Sequence, residues 1–333
     1  MRWFLKCFYG HHNLWDEFLF WGVLDYIDTS YSVVDELTVQ VADVEWMQTR
    51  WTRNSPFMQD LKIADWFVSQ GKIIKFVEMS KDMRDNFRYD IYFFWWGEVF
   101  AESRGFYGGW NYFLRYLFAL HLKPFVLLWG LETPIHIRQK FLYKYLLPKA
   151  DRIVCRDEHS YKIAHRYNSK SQMYTDFVIP IVDRYRQHTP HHIQTITSHD
   201  PYDMRTIFDL FGKHYVLINM IGKMSTDHSY RLIETFVSRY PDHKLVYISC
   251  GTDDQWRSDK EYARWLQGVY TDMVIYDREE YSFVQTLWLF QYASAGIWCR
   301  LHFLLLLQAL DTDRYALVYA EKIKKLITST LTL

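Results

Sequence analysis

Glycine is scarce in this chain of 333 residues: there are 13, where average usage gives roughly 23. Loops that bring backbone close to a ligand are built on glycine, so few such loops are available. The four cysteines (Cys7, Cys155, Cys250, Cys299) stand far apart and form no C-x-x-C pair. That spacing argues against a zinc site or a disulfide framework and for a reducing, cytoplasmic setting. Neither sign of charge prevails, with 39 Lys+Arg against 39 Asp+Glu. No global basic field exists to attract nucleic acid or anionic lipid, which leaves only a local basic pocket. No apolar run is long enough to span a bilayer; "LHFLLLLQAL" is too short and reads as a buried helix. The opening "MRWFLKCFYGHHNLWDE" lacks the continuous apolar core and small-residue cleavage site of a signal peptide.

Hydrophobic residues make up 49% of the chain and charged residues 23%, enough to bury substantial cores and to exclude disorder. Tryptophan, at 14 residues, outnumbers glycine. Strand-like and helix-like stretches alternate. "WFLKCFY" reads as a strand, "DEFLFWGVLDYI" as a helix, "DIYFFW" as a strand, "NYFLRYLFALHL" as a helix, "KPFVLLW" as a buried strand and "IRQKFLYKYLLPKA" as a helix. "DRIVC" is a short strand running into the helical "RDEHSYKIAHRYN". After the polar, His-rich "DRYRQHTPHHIQTITSHDPYDM", alternation resumes: "HYVLINMI", "SYRLIETFVSRY", "HKLVYISC", "EYARWLQGVY", "MVIYD", "YSFVQTLWLFQYA", "AGIWC", "RLHFLLLLQAL" and "YALVYAEKIKKLI". This pattern predicts an α/β fold of two Rossmann-like, doubly wound domains facing a central cleft. The expected boundaries are 1–184 for the N-terminal domain, 185–213 for a polar linker and 214–333 for the C-terminal domain. Histidines 188, 191, 192 and 199 fit no metal-ligand spacing and read as a solvated loop.

Four constellations carry chemistry. In "GHHNLWDE", Asn13, Asp16 and Glu17 cluster where a helix begins; they serve either as N-cap and acidic first turn or as contacts to a substrate. In "CRDEHS", Arg156 follows a strand, where a guanidinium grips carboxylate or phosphate, or pairs with Asp157 or Glu158. In "CRLHF", Arg300 and His302 flank Leu301 at a loop-to-helix junction that favours an anion; His302 is a proton donor there or a structural histidine. Lys322 lies just past a strand, as an anion ligand or as one solvated lysine of three.

Taken in order, these motifs resemble the polysaccharide pyruvyl transferase family. "GHHNLWDE" (Gly10, Asn13, Asp16, Glu17) matches its early G-x-x-N-x-G-D-E loop, and "FFWWGEVF" matches a glycine-triplet loop at Gly97. "VLLWGLETPI" matches a turn at Gly130 and Pro134. "RDEHS" matches R-D-x-x-S at Arg156, Asp157 and Ser160, and "RLH" matches R-x-H at Arg300 and His302. Lys322 best matches a later lysine. The resemblance implies two domains like those of the GT-B glycosyltransferases. It implies transfer of the enolpyruvyl unit of phosphoenolpyruvate onto hydroxyls of a polysaccharide or polyprenyl-linked sugar, as a ketal, in the cytoplasm or at the inner membrane face with peripheral membrane contact. Neither metal nor cofactor is expected, phosphoenolpyruvate being the donor substrate, and nucleic acid is not an expected partner. Arg156, His302 and Lys322 would be catalytic, with His302 the proton donor; Arg300, Asn13, Asp16, Glu17, Gly97 and Ser160 would bind substrate. The alternatives are a GT-B-type glycosyltransferase using a nucleotide sugar and a non-catalytic glycan-binding relative.

The chain departs from that family pattern in one consistent way. Trp15, Trp95, Trp96, Trp129 and Trp298 stand where the pattern has glycine. Tryptophan supplies neither close backbone approach nor positive φ. Together with the depleted glycine count, the repeated exchange fits a UGA codon that the source cell reads as glycine and that is rendered here as tryptophan. The other reading is a diverged protein with five true indoles.

Overall fold

The fold was obtained as a computed structural model that describes residues 1–9, 12, 14–31, 34–69, 72–78, 89–95, 124–128, 131, 133–134, 137–192, 212, 214–220, 226–249, 257–276, 281–298 and 301–316. Two all-parallel sheets organise these residues. The first contains β1 (Arg2–Tyr9), β2 (Glu36–Val41), β3 (Ile73–Glu78), β4 (Ile91–Trp95), β5 (Phe125–Leu128), β6 (Arg152–Cys155) and β7 (Ser171–Met173), in the order β3-β2-β1-β4-β5-β6-β7. The second contains β8 (Tyr215–Asn219), β9 (Lys244–Ile248), β10 (Val274–Tyr276), β11 (Ala295–Trp298) and β12 (Asp313–Ala316), in the order β10-β9-β8-β11-β12. The helices between them are α1 (Leu14–Ser30), α2 (Val44–Asp60), α3 (Asp65–Ser69), α4 (Ile137–Leu146), α5 (Glu158–Tyr167), α6 (Val178–His192), α7 (Thr226–Ser238), α8 (Arg257–Val269), α9 (Phe283–Gln291) and α10 (Leu301–Ala309).

Central strands read as continuous apolar runs because parallel sheets are covered on both faces. Every residue of β5 and β8 is buried. The edge strand β3 is only half covered, with Ile73, Lys75 and Glu78 exposed. Each sheet has its own aromatic-rich core. Phe4, Tyr92, Phe94, Phe125, Leu127 and Ile153 pack under the first, and Val216, Ile218, Ile233, Tyr247, Leu266 and Ile297 under the second.

The backbone divides into two compact units that are not contiguous in sequence. One comprises Met1–His11, Leu24–Thr49 and Ala64–Asp176; the other comprises His12–Val23, Arg50–Ile63 and Phe177–Leu333. The first half of α1 and the second half of α2 therefore count with the second sheet. Gly22 shows how closely α1 packs there: a Cβ on it would come within 2.1 Å of the Phe177 carbonyl oxygen.

Helix α6 corrects one expectation. The polar stretch read as a loop from Asp183 is helical to His192. Its signal begins upstream, in Val178, Ile181, Val182 and Tyr185, an i, i+3, i+4, i+7 stripe that is fully buried. Of the polar residues that follow this stripe, Asp183, Arg186 and Gln187 are exposed. The helix expected over "NYFLRYLFALHL", the continuation past β12, and His199 lie outside the described residues.

Candidate functional site

Ligands of doubly wound folds collect at the carboxyl ends of the strands, where strand order reverses. In the first sheet that point lies between β1 and β4, and in the second between β8 and β11. All but one of the motifs singled out in the sequence leave such an end. "GHHNLWDE" follows β1, "WWGE" closes β4, "WGLETP" follows β5, "RDEHS" follows β6 and "CRLH" follows β11. In the β1–α1 loop His12 holds φ at 50°, a left-handed conformation costly for a residue with a Cβ. Strain of this kind concentrates at ligand-binding turns.

In the first unit, the R-D-x-x-S segment divides its labour. Asp157 is the N-cap of α5: its Oδ1 accepts from the Ser160 N–H (2.8 Å) and its Oδ2 from the Ser160 hydroxyl (2.8 Å). The Ser160 oxygen also accepts from the Leu131 N–H (3.0 Å), tying the loop after β5 to α5. Ser160 is buried, and its hydroxyl is occupied by the fold. Arg156 remains partly exposed. Its guanidinium lies 3.7 Å from the Asp176 carboxylate and 3.9 Å from that of Asp157, both long contacts. A planar guanidinium at a strand end is the group type that pairs with carboxylate or phosphate bidentately. Beside it, burial pushes the Cys155 thiol up to about 12, so it is an inert packing group rather than a nucleophile.

In the second unit, Glu17 sits in the first turn of α1 and is 2% exposed. Its Oε1 accepts from Arg50 Nε (2.9 Å) and Asn54 Nδ2 (2.6 Å), and its Oε2 from Arg50 Nη2 (2.8 Å). Arg50 Nη1 donates onward to the Tyr281 carbonyl (2.8 Å), and Asn54 Oδ1 accepts from the Phe283 N–H (2.9 Å). The network thus ends on the first turn of α9, already closed by a Ser282–Gln285 capping box. Around it Phe18 packs on Phe283, and the Trp21 and Trp51 rings stack at 4.8 Å. Burial also pushes the nearby Tyr276 hydroxyl well above its ordinary range, and it pairs with Thr286 instead of ionising. Asp16, next to Glu17, is buried as well. Sequence reasoning missed Arg50 and Asn54. Their partner stands 33 and 37 residues away, and no local motif marks a pairing of that range.

His302 lies half-buried in the first turn of α10, directly after the carboxyl end of β11. The helix N-terminus there favours an anion, and an imidazole beside it suits proton transfer. The ends of β8 and β11 are in register, Asn219 opposite Trp298. Asn219 is buried and donates to the Ile248 carbonyl (2.7 Å), bracing the end of β9. Trp298 is fully buried, with its ring 3.6 Å from that of Phe303 and 5.5 Å from that of Phe290. Its indole N–H has no hydrogen-bond partner among the described residues. Gly296 must lack a side chain for it, since a Cβ there would come within 2.4 Å of that nitrogen. Trp15 falls in α1 and Trp95 at the end of β4.

Asn13, Gly97, Arg300 and Lys322 lie outside the described residues, as do Gly10, Gly130, Trp96 and Trp129. Among the described residues, no group of three or more His, Cys, Asp or Glu side chains could hold a metal ion. None of the described helices is long and apolar enough to cross a membrane.

Comparison with known proteins agrees with this architecture. The family model for polysaccharide pyruvyl transferase matches residues 30–306, most of the chain. No curated protein matches it in sequence. Solved structures match over nearly the full length. UDP-GlcNAc 2-epimerase from Methanocaldococcus jannaschii aligns with a TM-score of 0.61 at 8% identity, covering 100% of this chain and 88% of its own. UDP-N-acetylglucosamine 2-epimerase from Rickettsia bellii gives 0.57 at 10% identity, covering 94% and 78%. UGT73P12 from Glycyrrhiza uralensis gives 0.52 at 9% identity, covering 99% and 83%. At such identities the likeness concerns the fold, which is of the GT-B type: two Rossmann-like halves, here with sheets of seven and five strands.

Proposed function

The chain belongs to the polysaccharide pyruvyl transferase family, a transferase family, and on that premise we propose that it moves the enolpyruvyl group of phosphoenolpyruvate onto a hydroxyl pair of a glycan. The product is a pyruvate ketal, and inorganic phosphate leaves. The family match over residues 30–306 carries this reading.

The reaction needs three things. C3 of the enol must gain a proton, which makes C2 electrophilic. A first sugar hydroxyl then adds to C2. A second displaces phosphate as the C2–O bond breaks; of the two hydroxyl protons released, one restores the acid and the other leaves with phosphate or solvent. His302 is the proposed acid: it stands in the first turn of α10, just past the carboxyl end of β11, where the helix N-terminus favours a bound anion and the donor's phosphate would in turn favour the protonated imidazole. Arg156, directly after β6 and partly exposed, suits the carboxylate or phosphate of the donor, because its guanidinium can pair with either bidentately. Arg300 and Lys322 would add positive charge against the leaving phosphate. Asn13, Asp16 and Gly97 are proposed on the acceptor side. Glu17 and Ser160 would act there through the backbone they hold, since their polar atoms are already bonded within the fold. Neither metal nor cofactor enters these steps, and the activity is proposed to be cytoplasmic.

The test is phosphate release from phosphoenolpyruvate in the presence of acceptor glycan, for wild type and His302→Ala. Loss of turnover by roughly 10²-fold or more, with the fold intact, is the expected result for a general acid. Unchanged turnover would remove His302 from the mechanism. A nucleotide-sugar glycosyltransferase is the second reading, favoured only by the fold shared with proteins named for UDP-sugars.

A further inference from the structure

Helix α4 (Ile137–Leu146) buries one face and leaves an apolar face in solvent. Successive residues turn by about 100° around a helix, which puts Gln139, Tyr143 and Leu146 together; all three are buried. Ile137, Phe141 and Tyr145 fall on the opposite side and are 83%, 44% and 45% exposed. The Phe141 and Tyr145 rings pack on each other at 4.2 Å, forming one aromatic surface.

Cations edge this stripe. Lys140 and Lys144 are exposed along its flank, Lys149 is exposed in the 3-10 turn that follows, and the Lys144 ammonium lies 5.8 Å from the Tyr145 ring. From Thr133 to Ala150 the chain holds four basic residues, Arg138 among them, and no Asp or Glu. This local excess stands in a chain whose charges balance overall. An exposed helix with an Ile/Phe/Tyr face and a one-signed lysine border has the make-up of a segment that lies in the headgroup region of an anionic bilayer.

We infer that α4 is a docking surface for an anionic lipid membrane, with Ile137, Phe141 and Tyr145 entering the interface and Lys140 and Lys144 meeting lipid phosphates. Apolar side chains exposed to this extent, two of them with rings packed at a tilt against each other, suit insertion among acyl chains better than stacking with nucleic-acid bases. The surface stands on α4 alone and does not depend on the reaction proposed above. For a glycan-modifying enzyme it would bring the protein to lipid-linked acceptors by two-dimensional diffusion.

The test is co-sedimentation of the full chain with phosphatidylglycerol-containing vesicles and with pure phosphatidylcholine vesicles. Wild type is expected to pellet with the first, less so at high salt, and not with the second. Lys140→Glu with Lys144→Glu is expected to lower the partition by about tenfold or more. Phe141→Ser with Tyr145→Ser is expected to weaken binding even at low salt. Circular dichroism melts should match wild type, since these side chains are in solvent; a variant that melts early is replaced by the milder Lys140→Gln with Lys144→Gln, judged in the same way. Failure of wild type to pellet with anionic vesicles overturns the inference, as does pelleting indifferent to both pairs. A dimer in sedimentation velocity that Phe141→Ser with Tyr145→Ser dissolves overturns it in favour of a second copy of the chain.

Discussion

Single residues carry the sharpest consequences. Glu17 and Arg50 form a buried ion pair that is extended by hydrogen bonds to Asn54 and the Tyr281 carbonyl. Removing one partner leaves an uncompensated buried charge, so Glu17→Gln should cost about 3 kcal/mol or more in urea unfolding. The double change Glu17→Leu with Arg50→Met should recover much of that loss. Additive losses in the double variant would show that the pair is not a closed unit. Trp298 poses a different question. Its buried indole N–H has no partner among the described residues, a situation that costs about 1–3 kcal/mol, and it stands at a strand end where the family pattern has glycine. The recoding reading predicts that protein isolated from its source organism shows the mass of glycine at position 298 in a proteolytic peptide. The mass of tryptophan there contradicts it.

At the scale of elements, the close passage of α1 over the Phe177 carbonyl makes Gly22 a packing requirement. Alanine ordinarily favours a helix over glycine by about 1 kcal/mol, yet Gly22→Ala should destabilise by about 1–3 kcal/mol because the new methyl meets backbone. A thermal melt raised by the change would contradict the contact. The cap of α5 offers a milder test: Asp157→Ala should cost about 1 kcal/mol, as loss of an N-cap usually does. Strong local patterns made most elements legible. The apolar runs of β1 (broken only by Lys6), β5, β8 and β9 and the amphipathic α5, α7 and α8 stood out by local pattern alone. β2, with buried Thr38 and Gln40 among its valines, and β3, an edge strand with lysine at its centre, gave no such signal. α2 was hidden because its stripe is interrupted by Arg50 and Asn54, whose burial makes sense only with Glu17 beside them. The same logic divides the candidate site. Arg156 was readable as a guanidinium directly after a strand and His302 as an imidazole at a loop-to-helix junction, whereas the commitment of Ser160 and Glu17 to internal hydrogen bonds emerged only from tertiary structure.

For the molecule as a whole, fold and family point in one direction. Two all-parallel sheets, with motifs leaving the carboxyl ends of β1, β4, β5, β6 and β11, form the scaffold on which doubly wound proteins place their chemistry. The family match supplies the reaction class, and the donor proposed for it carries both a carboxylate and a phosphate. Fold alone does not choose between donors, since proteins with other activities share it at 8–10% identity. The direct measurement is therefore of donor choice. Purified protein is incubated with acceptor glycan and either phosphoenolpyruvate or a nucleotide sugar, and both the released anion and the glycan mass are followed. The account predicts phosphate release from phosphoenolpyruvate matched by an acid-labile pyruvate on the glycan, with no reaction of the nucleotide sugar. Nucleotide release with a sugar added to the glycan, and no phosphate from phosphoenolpyruvate, would contradict it.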